Sequence, residues 1–262
     1  MKLLRRASLT RIIKEADLIL EVVDIRDPLS TRSEFVERLV KKLGKKLIIV
    51  LNKCDLVPVD IAREWRRIFS SKGLNTVLVA ANTRSGIKTL KRGILRIVKS
   101  MRKPVKVAVV GVPKVGKSTI INALKGKSSA QTSPYPGSPG YTKGVQLLRI
   151  GEGIYLLDTP GIAPLKKGIE GIIRGRPIEQ LPDPVKAAVI LIHRIIRHSP
   201  HAFKIAYGID EMDPEEILKA LAVKRGWFYK KDKEPLIDEA ARTVIRDYLR
   251  GKIPFFLSPN KT

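Results

Sequence analysis

The sequence contains the segment GVPKVGKST at residues Gly111–Thr119. It matches the phosphate-loop pattern G-x-x-x-x-G-K-[ST]. The apolar, β-branched run Val105–Val110 before it predicts a buried strand, and Ser118–Lys125 behind it predicts a helix that ends at Gly126. Such a loop binds anions, because its backbone N–H groups and the N-terminus of the following helix point at negative charge. The stretch therefore predicts an α/β fold with a nucleotide-phosphate site.

The positions within this loop have different expected parts in binding. Gly111 and Gly116 allow the backbone to wrap around the phosphates. Lys117 is expected to reach the β- and γ-phosphates, and Ser118 is expected to bind Mg²⁺. The residues of the loop that we expect to contact the nucleotide are Gly111, Pro113, Lys114, Val115, Gly116, Lys117, Ser118 and Thr119.

A second motif indicates which base the nucleotide carries. The sequence NKCD, residues Asn52–Asp55, follows the predicted strand Lys46–Leu51 and has the N-K-x-D form that selects guanine. Asp55 would accept two hydrogen bonds from guanine, while Asn52 would brace the loop and the stem of Lys53 would lie along the base plane. Each hydrogen bond to a buried charge contributes about 1.5–3 kcal/mol, so such a pair excludes adenine. The motif precedes the phosphate loop, whereas ordinary GTPases place it after.

Four further segments accompany these two motifs. Ala80-Ala81-Asn82 ends the predicted strand Thr76–Ala80, and Gly86 lies beyond it. PGYTK (residues 139–143) and DTPG (residues 158–161) follow the phosphate loop, and DIRDPLS (residues 24–30) precedes the N-K-x-D motif. In this rotated order the motifs resemble those of circularly permuted GTPases, most closely the RbgA/YlqF type that assists large ribosomal subunit assembly. The match is strong over residues 15–165, with an alanine, Ala80, where the base loop usually has serine.

The resemblance adds residues to the predicted nucleotide site. They are Ala80, Ala81, Asn82, Thr142, Asp158 and Gly161. The Mg²⁺ ligands that it implies are Ser118, Thr142 and Asp158, and the catalytic groups are Lys117, Thr142 and Gly161. Ile162 follows the second-switch motif, where Ras-like enzymes carry the catalytic glutamine. Since isoleucine cannot orient water, we expect slow intrinsic turnover and activation from another side chain or from bound RNA.

The resemblance also implies a domain organisation. We expect a circularly permuted P-loop GTPase domain over residues 1–166, with a mostly parallel sheet flanked by helices. A small all-α domain that binds RNA is expected over residues 167–262. Helices are predicted to begin at Asp183-Pro184 and Asp213-Pro214, and a third is predicted over Leu236–Arg250.

Composition indicates the kind of partner. The 262 residues include 51 Lys and Arg against 25 Asp and Glu, which gives a net charge of +26. Such an excess is typical of proteins that bind polyanions. The resemblance to the RbgA/YlqF type implies that this polyanion is ribosomal RNA or a precursor of the large subunit. The apolar runs are too short to span a bilayer, the N-terminus lacks the apolar core of a secretory signal, and a single Cys54 indicates a reducing compartment. We therefore expect a cytoplasmic protein without membrane association, and we expect it to be monomeric when free. The scarcity of Asn and Gln favours a hot-adapted source, and the family resemblance is to an archaeal-like member of the type.

The sequence also predicts several other helices and strands. Met1–Ala16 predicts a basic amphipathic helix that either contacts RNA or caps the sheet edge. The remaining predicted elements are a strand at Leu18–Val23, helices at Glu34–Leu43, Ile61–Lys72 (capped by Asp60) and Gly86–Lys99, and a hairpin of Gln146–Ile150 with Ile154–Leu157.

Two basic segments of the second domain are candidates for RNA contact. Arg242, Arg246 and Arg250 repeat every four residues along one helix stripe, which favours phosphate contact. The alternative is a solvated face on which Asp238 pairs with Arg242. The aromatic and basic segment Trp227–Lys231 either stacks on RNA bases or packs in the core under a loop.

One position of the phosphate loop differs from the pattern of the family that the sequence resembles. Permuted GTPases of this type usually carry Asn at the third position after the first glycine of the phosphate loop, resembling the Asn that helps to hold K⁺ in potassium-activated GTPases. This chain has Lys114, whose ammonium cannot ligate a cation. Lys114 either replaces K⁺ beside the phosphates or points into solvent, so the expected cofactors are GTP or GDP and Mg²⁺, and the sequence leaves K⁺ open. The sequence also leaves two functions open, a GTP-hydrolysing assembly switch and a GTP-gated RNA-binding placeholder with a negligible catalytic role.

Overall fold

The computed structural model describes residues 6–125, 146–158 and 168–259, and the chain divides into two compact units, Met1–Leu165 and Lys166–Thr262. The strands are β1 (Leu18–Asp24), β2 (Lys46–Asn52), β3 (Thr76–Leu78), β4 (Val105–Val110), β5 (Gln146–Gly151) and β6 (Ile154–Asp158). The helices of the first unit are α1 (Arg6–Glu15), α2 (Pro28–Thr31), α3 (Glu34–Lys42), α4 (Val59–Ser71), α5 (Ile87–Val98) and α6 (Lys117–Lys125). Those of the second unit are α7 (Ile169–Gly175), α8 (Pro184–His198), α9 (Ala202–Tyr207), α10 (Pro214–Lys224) and α11 (Ile237–Arg250).

The strands form a six-stranded sheet in the order β3-β2-β1-β4-β6-β5. All neighbouring pairs are parallel except β5 and β6, which form the antiparallel hairpin that the sequence predicts. The predicted α/β fold with a mostly parallel, helix-flanked sheet is confirmed. Because parallel strands end at the same edge, the loops that follow β1, β2 and β4 lie side by side.

Strand β1 lies at the centre of the sheet and is buried on both faces. Leu18, Leu20 and Val22 belong to an apolar cluster shared with α5 and α6, whereas Ile19 belongs to a cluster on the other face with α1 and α3. A strand buried on both faces has no exposed positions to fill with polar residues. This explains why the sequence shows a continuous apolar run there rather than an alternation.

Helix α1 covers one face of this sheet. Leu9, Ile12 and Ile13 are buried in the cluster that includes Val36 of α3. Leu4, which the sequence predicts on the same apolar face as Ile12 and Ile13, lies outside the described residues. The basic side chains of α1 lie on its exposed side. The apolar side of α1 therefore packs on a face of the sheet and not over its edge, where one of the two alternatives placed it. RNA contact by the basic side remains a prediction.

Two local expectations were wrong in detail. Helix α4 begins at Val59 without a side-chain cap, so Asp60 lies within the first turn instead of capping it. The carboxylate there still faces the positive end of the helix dipole. Strand β3 ends at Leu78, because Ala80 leaves the sheet to pair with Ser85 in an isolated bridge. The helix α2 was not predicted; Asp27 begins it by accepting a hydrogen bond from the backbone N–H of Ser30 at 3.1 Å.

The second unit is helical over the residues that the structure describes. Asp183 caps α8 through the N–H of Lys186 at 2.8 Å, and Asp213 caps α10 through the N–H groups of Glu215 and Glu216. Helices α7 and α9 were not predicted. Each has at most seven residues, which is too short for the 3.6-residue periodicity to appear in the sequence.

A buried charged cluster joins three helices of the second unit. Glu170 of α7 accepts hydrogen bonds from Arg174, from Arg194 of α8 at 3.1 Å and from the hydroxyl of Tyr248 in α11. The guanidinium of Arg194 also lies 5.4 Å from the ring centroid of Phe255. Burial opposes ionisation of Glu170, but the charges of Arg174 and Arg194 and the hydrogen bond from Tyr248 hold its pKa below the usual range. The cluster thus contains a carboxylate that is charged although it is buried.

Candidate nucleotide site

The two nucleotide motifs meet at one edge of the sheet, on either side of β1. Asp24 at the end of β1 is the register partner of Asn52 at the end of β2. On its other side, β1 pairs with β4, where Glu21 lies opposite Val110, the residue before the phosphate loop. The carboxyl edge of a parallel sheet is where nucleotides bind in open α/β folds. The fold therefore brings the motifs together at one site, although they occur in rotated order along the chain.

The backbone of the phosphate loop adopts conformations that require glycine at two positions. Gly111 has a φ of +143°, and a Cβ there would lie 2.4 Å from the carbonyl oxygen of Val22. Gly116 has a φ of +101°, and a Cβ there would lie 2.3 Å from Nδ2 of Asn52. The absence of side chains at both positions thus allows the loop to approach β1 and the base motif closely.

Asn52 ties three loops of the site together. It is buried, and its Nδ2 donates to the carbonyl of Val115 in the phosphate loop at 2.8 Å. Its Oδ1 accepts from the backbone N–H of Ala81 at 3.2 Å. An amide has both a donor and an acceptor end, so one side chain can hold two backbones in register. The base motif, the phosphate loop and the Ala80–Asn82 loop are therefore connected.

Lys117 begins α6, and its side chain is buried within the loop. Its Nζ donates to the carbonyl of Val112 at 2.7 Å. An ammonium has three N–H donors, so this bond is compatible with further contacts to phosphate oxygens. Ser118 is exposed and Thr119 half-buried at the start of the same helix, with Pro113 buried in the loop. The donors expected of a phosphate loop thus lie together at the N-terminus of α6.

The base motif forms a tight turn after β2. Lys53 has a left-handed backbone with a φ of +64°, and Asp55 is exposed within the single turn Cys54–Leu56. The N–H of Cys54 donates to the carbonyl of Val79 at 3.1 Å, which fixes the turn against the neighbouring loop. Beside it, the side chain of Asn82 is exposed. The exposed Asp55 carboxylate is thus accessible to a base.

The structure adds two residues to the site that the sequence did not assign to it. Asp24 and Arg26 are buried, and the guanidinium of Arg26 binds both carboxylate oxygens of Asp24, at 3.0 and 2.8 Å. The second of these oxygens, Oδ2, also lies 2.9 Å from Nζ of Lys53. The backbone N–H of Asp24 donates to the hydroxyl of Thr31 at 3.1 Å. The DIRDPLS segment therefore holds the lysine of the base motif.

Several residues of the predicted site cannot be placed. Thr142 and Gly161 lie outside the described residues, and of Asp158 only its backbone place, at the end of β6, is described. That place fits a metal ligand, because Asp158 follows the pair Ala108–Leu157 and so lies at the edge where β4 leads into the phosphate loop. The exposed hydroxyl of Ser118 lies at the same edge. These positions fit the Mg²⁺ site that the sequence predicts.

The arginine stripe of α11 takes protein partners at two of its three positions. Arg242 donates to the carbonyl of Ile178 at 2.8 Å and pairs with Asp238 at 3.3 Å. Arg246 is half-buried, 3.8 Å from a carboxylate oxygen of Glu179, whereas Arg250 is exposed. The pairing of Asp238 with Arg242 is the alternative that the sequence offered. Phosphate contact by the stripe remains a prediction.

A mostly parallel sheet with a phosphate loop and an N-K-x-D motif at one edge, in rotated order, defines a circularly permuted P-loop GTPase. The chain belongs to the RsgA GTPase family, whose sequence model matches residues 2–167. This membership confirms the class that the motifs predict and supports guanine-nucleotide binding at the site.

Comparisons with individual proteins extend beyond the first unit. An uncharacterized GTP-binding protein of Methanocaldococcus jannaschii is 41% identical over 94% of this chain and 65% of its own length. Nucleolar GTP-binding protein 2 of Neurospora crassa is 36% identical over 95% of this chain and 40% of its own length. The chain thus spans about two thirds or less of these curated relatives.

Solved structures match both units. A GDP-bound YlqF structure has a TM-score of 0.68 at 26% identity and covers 97% of this chain and 99% of its own. A GNP-bound YlqF from T. maritima has a TM-score of 0.66 at 26% identity, over 95% of this chain and 96% of its own. In the parts of the chain that the structure describes, none of the helices is both long and apolar enough to cross a membrane.

Proposed function

We propose that this protein is a Mg²⁺-dependent GTPase switch that binds ribosomal RNA or a precursor of the large ribosomal subunit and assists its assembly. The observation that carries the nucleotide part is the double contact of Asn52, which joins the base motif to the phosphate loop. A guanine nucleotide bridging the two loops would contact Asp55 at its base and the start of α6 at its phosphates. Family membership and the likeness to the GDP-bound and GNP-bound YlqF structures support this assignment.

Hydrolysis in this proposal is attack of water on the γ-phosphate, which breaks the bond from the γ-phosphorus to the bridging oxygen and releases GDP and inorganic phosphate. The residues that would hold Mg²⁺ are Ser118, Thr142 and Asp158, and the ion would supply positive charge to the phosphate oxygens. Lys117 would place its ammonium at the same oxygens, and in this proposal the backbone of Gly161 would contact the γ-phosphate. Since the structure holds Lys117 on the carbonyl of Val112, its charge is positioned before the reaction begins.

Slow intrinsic turnover is part of the proposal. Ile162 stands where Ras-like enzymes have a glutamine, and an alkyl side chain offers no hydrogen bond to the attacking water. Another group must therefore orient that water. Bound RNA, or a side chain supplied with it, would orient the water. This source fits the proposal because the protein would then hydrolyse GTP only on its target.

The partner is proposed from charge and from the names of the relatives. A net charge of +26 favours a polyanion. Similar proteins are called nucleolar GTP-binding protein 2, and the nucleolus is where ribosomal subunits are assembled. In our proposal residues 1–166 form the GTPase domain and residues 167–262 the RNA-binding domain of a cytoplasmic protein that is monomeric when free. The stripe of Arg242, Arg246 and Arg250 is one candidate contact, and Arg250 is its exposed member.

A turnover assay with and without ribosomal particles tests this function. Strong stimulation of GTP hydrolysis by large-subunit precursors is expected of an assembly switch. If particles bind the protein in a nucleotide-dependent way without raising turnover, the protein is instead a placeholder whose hydrolysis only times its release. If neither GTP binding nor particle binding is observed, the proposed function is wrong.

A further inference from the structure

The segment between α10 and α11 forms a small hairpin, residues Trp227–Leu236. The N–H of Leu236 donates to the carbonyl of Trp227, and the N–H of Tyr229 donates to the carbonyl of Glu234, both at 2.9 Å. The N–H of Lys233 closes the tip by donating to the carbonyl of Tyr229 at 3.1 Å. Phe228 and Pro235 form an antiparallel bridge between the two arms. The hairpin is thus held by its own backbone hydrogen bonds.

Two aromatic rings of this hairpin are exposed to solvent. Phe228 is 38% exposed and Tyr229 is 48% exposed. The sequence left open whether these rings pack in the core or contact RNA, and such exposure is inconsistent with core packing. Exposed, neighbouring aromatic rings on a fixed turn are a feature of binding surfaces.

The charges around the rings indicate the chemistry of the partner. The exposed basic residues on the hairpin and at the end of α10 are Lys224, Arg225, Lys230, Lys231 and Lys233. The acidic residues over the same stretch are only Asp232 and Glu234. A surface that combines aromatic rings with an excess of positive charge matches nucleic acid, which offers stacking faces and phosphates together. A purely apolar protein partner would not need these charges.

We propose that the Trp227–Leu236 hairpin binds unpaired RNA bases, which stack on Phe228 and Tyr229 while Lys230 and Lys231 contact the flanking phosphates. The bases must be unpaired, because in an A-form duplex their faces are already stacked on one another. The partner is therefore a loop, bulge or single-stranded end. This inference rests on the proposed function and specifies which RNA feature the second unit recognises.

The test compares single-stranded RNA with duplex RNA of the same length. The full-length protein is titrated into a fluorescent uridine-rich strand and into a fluorescent duplex. The double variant Phe228→Leu/Tyr229→Leu keeps apolar area but removes both rings. We expect it to weaken single-strand binding about tenfold or more for each lost stack and to leave duplex binding unchanged. The matched control is Ile190→Ala/Ile205→Ala, which changes two other exposed apolar side chains of the same unit.

A second variant tests the lysines through salt dependence. Lys230→Ala/Lys231→Ala should reduce the slope of log affinity against log salt by about 0.7 for each lost phosphate contact on single strands. The control Lys41→Ala/Lys42→Ala removes an equally exposed consecutive pair from α3 and should leave the slope unchanged. Thermal unfolding of every variant establishes that the second unit remains folded.

The outcomes separate this inference from the proposed function. If the parent binds single-stranded RNA and the leucine variant binds it equally well, the hairpin inference is overturned while RNA binding stands. If the leucine variant loses single-strand and duplex binding to the same extent, base stacking is also excluded. If the parent binds no RNA or ribosomal particle at all, the proposed function fails and this inference fails with it.

Discussion

Nζ of Lys53 lies 2.9 Å from Oδ2 of Asp24, so a buried carboxylate on the central strand holds the lysine of the base motif. The same carboxylate is bound at both oxygens by Arg26. A flexible lysine stem would lose conformational entropy when it aligns beside a base. Because Asp24 holds the Lys53 ammonium in place before the nucleotide binds, part of that entropy is already lost when the protein folds.

Removing the Asp24 charge should weaken guanine-nucleotide binding through Lys53. We expect Asp24→Asn and Lys53→Met each to lower GDP affinity, with the double variant no weaker than the worse single variant. The coupling between a charged pair of this kind is about 1.5–3 kcal/mol. Titration with fluorescent GDP measures the GDP affinity of the parent, the two single variants and the double variant.

The control for this cycle is Asp27→Asn. Asp27 is an equally buried acid of the same segment, but its carboxylate caps α2. It should lower thermal stability without coupling to Lys53→Met. Additive effects of Asp24→Asn and Lys53→Met on GDP affinity would show that the ion pair has no part in binding.

Gly116→Ala should remove nucleotide binding. The new Cβ would lie 2.3 Å from Nδ2 of Asn52, which would break the bond from Asn52 to Val115. The φ of +101° adds strain of about 1–2 kcal/mol for a residue with a side chain. Gly73→Ala is the matched control, since Gly73 has a φ of +73° but no atom of the described residues lies within 4 Å of its would-be Cβ. Gly73→Ala should lower the stability of the protein without lowering its GDP affinity. Equal GDP affinity of Gly116→Ala and Gly73→Ala would contradict the prediction.

Glu170→Gln should destabilise the second unit by about 3–5 kcal/mol, because Arg174 would remain buried without its carboxylate. The pKa of Glu170 lies below its ordinary value of 4.5, since the arginines and Tyr248 outweigh the effect of burial. A lowered folded pKa contributes stability that is complete above the unfolded pKa and is lost as pH falls through the folded pKa.

The free-energy difference between the parent and Glu170→Gln should therefore be constant near neutral pH and shrink below pH 4.5. Denaturant unfolding at several pH values measures it. Glu179→Gln is the control, because that carboxylate is 70% exposed and its pair with Arg246 should contribute less than about 1 kcal/mol. A difference that grows on acidification would contradict the assignment.

Most of the fold could be predicted because glycine and apolar runs mark the boundaries of its elements. Val105–Val110 and the hairpin of β5 and β6 lie where the sequence places them. The role of Asp24 could not be predicted in this way. It depends on the strand order, which places β1 between β2 and β4, and on the register that puts Asp24 beside Asn52. Neither the strand order nor the register can be read from a local sequence motif.

The partners of the arginine stripe were hidden for a similar reason. The helical repeat shows that Arg242 and Arg246 share a face, but not that the Ile178–Gln180 turn lies against it. Likewise, the sequence could not decide whether Phe228 is buried, because both alternatives require the same aromatic residue. Such questions are settled by tertiary packing rather than by periodicity.

Lys114→Asn should make GTP hydrolysis responsive to K⁺. Lys114 has a left-handed backbone with a φ of +65°, a conformation that asparagine adopts more readily than lysine, so the variant should keep the loop intact. If the Lys114 ammonium supplies the charge that K⁺ supplies elsewhere, the parent should turn over GTP at similar rates in Na⁺ and K⁺. The asparagine variant should be slower in Na⁺ and recover in K⁺, because its carbonyl oxygen can ligate the ion.

Lys114→Met is the matched control, since methionine neither carries charge nor ligates a hard cation, and it should be slow in both salts. Turnover measured in the two salts for the three proteins separates the alternatives. Equal rates for all of them would make Lys114 a surface residue without a part in catalysis. Strong K⁺ activation of the parent would show that the ion binds despite the lysine, because a positioned ammonium and K⁺ cannot occupy one place beside the phosphates.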